Sequence, residues 1–181
     1  GLLSPNLIAV HMVHLTDHEI KLVHQYGCSV AHCPSSNMKL ASGFAPVPAL
    51  LNQGVNVGLG TDGAASNNRL DMFEEMRQAA LLAKATSGQA DALPAHQALR
   101  MATLNGANAL GLGEITGSLT VGKAADITAI NFSALNLTPC YDPASHLVYT
   151  ASREQVSHVW VNGRMLLDDK ELTTLNPFEL Q

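Results

Sequence analysis

The sequence is short of cysteine, of basic charge and of long apolar runs, and each shortage excludes a class of protein. Its three cysteines, Cys28, Cys33 and Cys140, are odd in number and form no C-x-x-C pair. That argues against a disulfide framework and against a cysteine zinc site. A reducing compartment, the cytoplasm, is the expected setting. Ten Lys and Arg against fifteen Asp and Glu leave a net charge of -5, and no basic cluster supplies a nucleic-acid footprint. No apolar run reaches the ~18 residues that a membrane span needs. The opening Gly1-Leu2-Leu3-Ser4-Pro5 has neither the charged n-region nor the cleavage site of a secretory leader. Internal repeats and low-complexity segments are not found.

What remains is a globular composition. The 181 residues are 46% hydrophobic and 14% charged, enough for one domain with a real core or two small ones. Leu7-Ile8-Ala9-Val10, Cys28-Ser29-Val30-Ala31 and Val55-Asn56-Val57-Gly58-Leu59 read as short strands. Thr16 and Glu19 predict a capping box for a helix that buries Ile20, Val23 and Leu22 and stops at Gly27. A loop is expected from Cys33 to Ala45 and a short helix over residues 47–52, closed by Gly54. Strand, helix, strand, helix, strand in this order implies right-handed crossovers and a parallel sheet. A long helix is expected over residues 68–86, with Leu70, Phe73, Met76, Ala80 and Leu81 on its apolar face. A further helix, with Pro94 at its first turn, carries Leu99, Met101, Ala102 and Leu110. Near Gly117 the pattern changes. Asp126 to Ile130 alternates like a strand, and residues 156–167 read as a β-hairpin around Asn162-Gly163. A boundary near residue 118 is expected, with βα units over 1–117 and a small β module over 118–181.

Each of the three parallel strands delivers a polar residue at its end: His11, His32 and Thr61-Asp62. Active sites of parallel α/β folds form at the carboxyl ends of strands, and imidazole with carboxylate suits zinc or a similar divalent ion. Taken singly, each has a plainer reading. A lone His after a strand is more often a hydrogen-bonded structural residue, Thr61-Asp62-Gly63 also fits an Asx turn, and His32 before Pro34 also fits a loop start. His14 reads as an edge residue. His18, His24, His96, His146 and His158 are expected to have no catalytic role, the last two lying in the β module. Cys33 reads as a small buried thiol.

Three stretches carry a resemblance. Ala9-Val10-His11-Met12-Val13-His14-Leu15, Ser36-Asn37-Met38-Lys39-Leu40-Ala41-Ser42-Gly43 and Leu59-Gly60-Thr61-Asp62-Gly63-Ala64-Ala65-Ser66-Asn67-Asn68 resemble the amidohydrolase superfamily. The nearest branch is that of the 5-methylthioadenosine/S-adenosylhomocysteine deaminases and related chlorohydrolases. Gly117-Ser118-Leu119 with Gly122-Lys123-Ala124-Ala125-Asp126 looks like that family's return to its β-sandwich. The resemblance implies an α/β fold: the last three strands of a distorted (β/α)8 barrel with their helices, then part of a small β-sandwich. It implies that Asp62 is a metal ligand and proton shuttle that also meets substrate. It implies that His11 contacts the reacting water or intermediate. The loop Ser35 to Gly43 would line the pocket, with Ser36 and Asn37 binding substrate.

The implied cofactor is one divalent metal ion, zinc, and the implied substrate a small purine nucleoside or related ring. Nucleic acid and membrane are not expected as partners, and homo-oligomer formation is left open. The family also uses a His-x-His pair, another His and a Glu that this chain does not contain. The chain is therefore expected to be a C-terminal fragment, inactive alone, that binds no metal tightly and self-associates. The open alternatives are another hydrolase of the same family, such as a triazine chlorohydrolase or guanine-type deaminase, and a non-catalytic barrel used for binding or assembly.

Overall fold

The three apolar strands run in one direction. β1 (Ile8–Val10), β2 (Ser29–His32) and β3 (Asn56–Leu59) form a parallel sheet in the order β1-β2-β3 in the computed structural model, which describes residues 1–179. The helices α1 (Asp17–Gln25), α2 (Pro34–Lys39) and α3 (Val47–Asn52) connect them. Local chemistry sets the limits of α1. The Glu19 N–H donates to Thr16 Oγ1 at 3.3 Å and the Thr16 N–H donates to Glu19 Oε2 at 2.7 Å, two free helix-end donors satisfied reciprocally. Gly27, at φ +65°, closes the helix in a conformation that costs glycine least. Ile20 and Val23 enter the core and Leu22 is half-buried.

Three expectations are corrected. The segment after Cys33 is not all loop, because Pro34 at the first helical position starts α2 and buried hydrogen bonds hold its serines and asparagine there. The long helix is two: α4 (Ala64–Asn67) and α5 (Met72–Ser87). Asn68 and Leu70 take positive φ between them, and the Asp71 carboxylate caps α5 by accepting from the Phe73 N–H. Its buried stripe is Glu75, Met76, Ala79, Ala80 and Ala83, whereas Leu70 and Leu81 are exposed. The following helix is also two, α6 (Ala95–Met101) and α7 (Leu104–Ala109), separated by Thr103 at φ -128°, ψ -99°. The break turns α7 onto the sheet. A Cβ on Gly58 of β3 would stand 3.1 Å from Gly106 Cα, so this close approach favours glycine.

Side chains alternate across the sheet. Val30 and Val57 are register partners, both 0% exposed and part of the helix-covered core. Both therefore pack beneath the helices. Val10 lies on the other face and is 48% exposed.

A second sheet, antiparallel in the order β4-β5-β6-β7, contains β4 (Ile127–Ile130), β5 (Val156–Val161), β6 (Arg164–Asp168) and β7 (Glu171–Leu172). Asn162 and Gly163, at φ +49° and +76°, make the expected hairpin turn. Between β4 and β5, α8 (Pro143–Tyr149) returns to pack on α5 and α6 and adds Ala144 and Val148 to the main core. Arg77 Nε and Nη2 donate to Tyr149 O at 3.1 Å and Ala151 O at 3.0 Å. His146 thus sits on a helix of the main core rather than in the β sheet.

Candidate active site

The site begins where the parallel ladder runs out. The His11 N–H still donates to Ala31 O, and the Gly60 N–H to His32 O, each at 3.0 Å. Beyond these bonds the chain turns sharply: His11, Met12 and Asp62 take φ of +69°, +48° and +60°. Non-glycine residues held there are strained, and such strain gathers at functional sites. The strand ends bring the two side chains together, with His11 Nε2 3.6 Å from Asp62 Oδ2.

α2 holds both. Ser36 Oγ donates to Asp62 Oδ2 at 2.6 Å, and Asn37 Oδ1 lies 2.8 Å from His11 Nδ1. Asp62 Oδ1 accepts from the Gly63 N–H at 2.7 Å. The Ser36 hydroxyl, the Gly63 N–H and Ser66, with help from His11, hold the Asp62 carboxyl down to about 2. It is a carboxylate at any physiological pH. Ser36 and Asn37, expected to meet substrate, are 0% and 2% exposed, and their side chains face Asp62 and His11.

His32 ends β2 and is buried, so it is no loop residue. Burial, and then the nearby His11, hold its imidazole down to about 4, so it is neutral. Burial, with the charges of Asp62 and Glu75, pushes the Cys33 thiol up to about 11, which makes it a poor nucleophile. All three cysteines are free thiols. His18, His24 and His96 are exposed, and His158 pairs with Asp168 in the second sheet.

Glu75 and Asn67 escaped the sequence reading. Glu75 is 0% exposed and accepts from the Ser35 N–H at 3.2 Å and from Asn67 Nδ2 at 2.7 Å. Asn67 Nδ2 also donates to Thr61 O at 2.8 Å, and its Oδ1 accepts from the Arg69 and Leu70 N–H groups. Together they tie the start of α2 to the loop that presents Asp62. The available signal was a carboxylate on the stripe shared by Met76, Ala79 and Ala83.

Asp62 with His11 offers one carboxylate and one imidazole to a cation. Among the described residues no group of three His, Cys, Asp or Glu is arranged to hold a metal ion. A zinc ion takes three or more protein ligands, so these residues fit one arm of a zinc site and do not fit a complete one. No helix among the described residues is long and apolar enough to cross a membrane.

A 5-methylthioadenosine/S-adenosylhomocysteine deaminase of Teredinibacter turnerae is 52% identical over 180 residues, which are 99% of this chain and 41% of that protein. The crystal structure of an adenosine deaminase from Xanthomonas campestris with bound zinc superposes with a TM-score of 0.98 at 51% identity, over 99% of this chain and 41% of that one. Atrazine chlorohydrolase from Arthrobacter aurescens, crystallised with zinc, gives 0.94 at 30% identity, over 99% and 40%. The chain thus spans about two-fifths of the length of the relatives it matches. The amidohydrolase family model matches residues 1–166, and with the strand-end His11 and Asp62 already in place, the chain belongs to the amidohydrolase family.

Proposed function

We propose that this chain is the C-terminal, proton-handling part of a metal-dependent hydrolytic deaminase of adenosine-type compounds: S-adenosylhomocysteine, 5-methylthioadenosine or adenosine. The observation that carries the reading is the Asp62–His11 pair, fixed at the sheet's carboxyl rim by Ser36 and Asn37. The division into residues 1–117, the last strands of a (β/α)8 barrel, and 118–181, part of a β-sandwich, belongs to the same reading. A divalent ion, zinc as in the structural relatives, would be held by Asp62 together with residues this chain does not contain. When bound it lowers the pKa of water from 15.7 to about 7.

In the reaction, water adds to the ring carbon that bears the amino group. A C–O bond forms, the C–N bond breaks, and ammonia leaves with the inosine analogue as the other product. Asp62 takes the proton from the attacking water and passes it to the departing nitrogen. The hydrogen bonds to Asp62 keep it anionic until that moment and fix its direction. His11 either orients the attacking water or steadies the developing oxyanion, a preorganised contact typically worth ~3 kcal/mol. Ser36 and Asn37 act through these two residues. The identity to the adenosine deaminase, 51% against 30% for the chlorohydrolase, favours deamination over dechlorination.

The test is ammonia release from the three compounds by a protein of the relatives' length that carries this chain. Turnover on at least one is expected. Zinc-loaded protein that turns over none of them, or that dechlorinates a triazine in preference, overturns the assignment. The 181-residue chain alone is expected to hold zinc weakly and to release no ammonia.

A further inference from the structure

Along the buried stripe of α5, Met76, Ala79, Ala80 and Ala83 are apolar and Glu75 is not. The Glu75 side chain is fully buried, and among the described residues no Lys, Arg or His pairs with it. Burying a carboxylate is costly unless hydrogen bonds replace its lost hydration. Packing alone gives no reason for it, since an apolar side chain of similar volume would fill the stripe without that cost.

Its partners supply the reason. Glu75 Oε2 accepts from the Ser35 N–H at 3.2 Å, and Oε1 accepts from Asn67 Nδ2 at 2.7 Å. Both partners are donors, so the position calls for a side chain that accepts twice. A carboxylate does this; an amide of the same shape must turn its own NH2 toward one of the two donors. The first bond also serves α2, whose N-cap residue Cys33 makes no side-chain cap of its own, so a free helix-end N–H is satisfied from α5 instead.

Each bond leads on to Asp62. Ser35 precedes Ser36, whose Oγ donates to Asp62 Oδ2 at 2.6 Å. Asn67 Nδ2 also donates to Thr61 O at 2.8 Å, one residue before Asp62. Ser35 Oγ on Gln78 and Lys39 Nζ on Ala65 O hold the same rim, but these side chains are half-buried or exposed. Glu75 is fully buried and meets both the helix and the loop.

We propose that Glu75 is a positioning residue for the reaction. From the 16-residue helix α5 it keeps α2 and the Asp62 loop in register, so that the Asp62 carboxylate stays against Ser36 while it handles the proton. The kinetic side of this role rests on the deaminase reading, whereas the register of helix and loop does not.

The test sets Glu75→Gln beside Met76→Ala, its neighbour on the stripe, in a protein of the relatives' length that carries this chain. Glu75→Gln keeps the volume and loses one acceptor. Its kcat for ammonia release should fall about 10- to 100-fold, the usual cost of removing a group that orients a reacting side chain, with KM nearly unchanged. Met76→Ala opens a cavity and should lower the urea midpoint yet keep kcat. Hydrogen exchange read by mass spectrometry gives a second readout. Segments containing the bonded amides of Asn37, Leu40 and Ser42, and of Ser66, Asn67 and Asn68, should exchange roughly tenfold faster in Glu75→Gln, as loss of a hydrogen bond to a charged group implies, while α5 keeps its rates. Wild-type kcat in Glu75→Gln, wild-type exchange in both segments, or an equal loss of kcat in Met76→Ala overturns the proposal. Should Glu75→Gln not fold, Asn67→Ala cuts the Thr61 route from outside α5, and unchanged kcat and exchange there overturn it equally. A wild type that releases no ammonia defeats the deaminase reading instead, and exchange then decides whether Glu75 holds the rim.

Discussion

Among the described residues two histidine–aspartate pairs of similar separation stand out. In one, His11 and Asp62 stand 3.6 Å apart with side chains 38% and 33% exposed; in the other, His158 and Asp168 stand 3.2 Å apart at 32% and 59%. Each pair even has a serine in attendance. Ser36 Oγ donates to Asp62 at 2.6 Å, and Ser157 Oγ lies 2.9 Å from His158 Nδ1. What differs is what stands behind them. His158 and Asp168 are on neighbouring strands of one hairpin, Ser157 is the next residue along, and His158 stacks on Trp160 at 5.6 Å. Among the described residues no buried side chain bonds to the pair, and water screens it. His11 and Asp62 come from the two outer strands of a parallel sheet, at positive φ, each fixed by a fully buried side chain of α2. A distance between charges does not identify a site; the buried polar groups that hold the distance do.

The largest test of that contrast is Asp62→Asn in a protein of the relatives' length. Asparagine keeps the shape but cannot take the proton, and turnover should fall by about 10²–10⁴-fold, the usual range for a general acid–base group. Asp168→Asn in the same protein should leave ammonia release unchanged. Equal losses at the two positions would erase the distinction.

His32 sharpens it through acid stability. Its imidazole is held at about 4 against an ordinary 6.5. Between those values the unfolded chain binds a proton that the folded chain refuses, so stability falls as pH drops from 6.5 and levels off below 4. At 1.36 kcal/mol per pH unit the loss is roughly 3 kcal/mol. Urea midpoints of the chain between pH 7 and 4 should show it, and His32→Gln should remove most of that slope. A wild-type midpoint flat across this window would mean that His32 is not held neutral by burial.

Ser36→Ala should have a smaller effect. It removes the chief hydrogen bond that holds the Asp62 carboxyl near 2, which should rise toward the ordinary 3.8. A ¹³C titration of the Asp62 carboxyl reads this directly. An unmoved value would assign the depression to Gly63 and Ser66 instead.

The smallest effect belongs to His158→Ala. An exposed pair of this kind contributes about 0–1 kcal/mol, so the urea midpoint should hardly move. A loss well above that range would show the hairpin pair to be structurally important after all.

Much of this molecule is local and was therefore legible in the sequence. The capping box of Thr16 and Glu19, the closing Gly27, the helix over 47–52 and the Asn162-Gly163 turn each depend on a few adjacent residues, and each appears in the fold. So do the three short strands, because an apolar run between turn signals has few other uses. The order of these elements and the polar residues at strand ends were enough to single out His11 and Asp62. The tertiary structure decided what distance in the chain conceals. That the residues after Cys33 form α2, that Ser36 and Asn37 turn toward Asp62 and His11, and that Glu75 is a buried tie rather than a solvated acid all depend on partners 26 to 40 residues away. Propensity carries no information about such partners. Serine and asparagine favour caps and turns by their local hydrogen bonds, and only the assembled rim supplies the acceptors and donors that draw them into a helix and bury them.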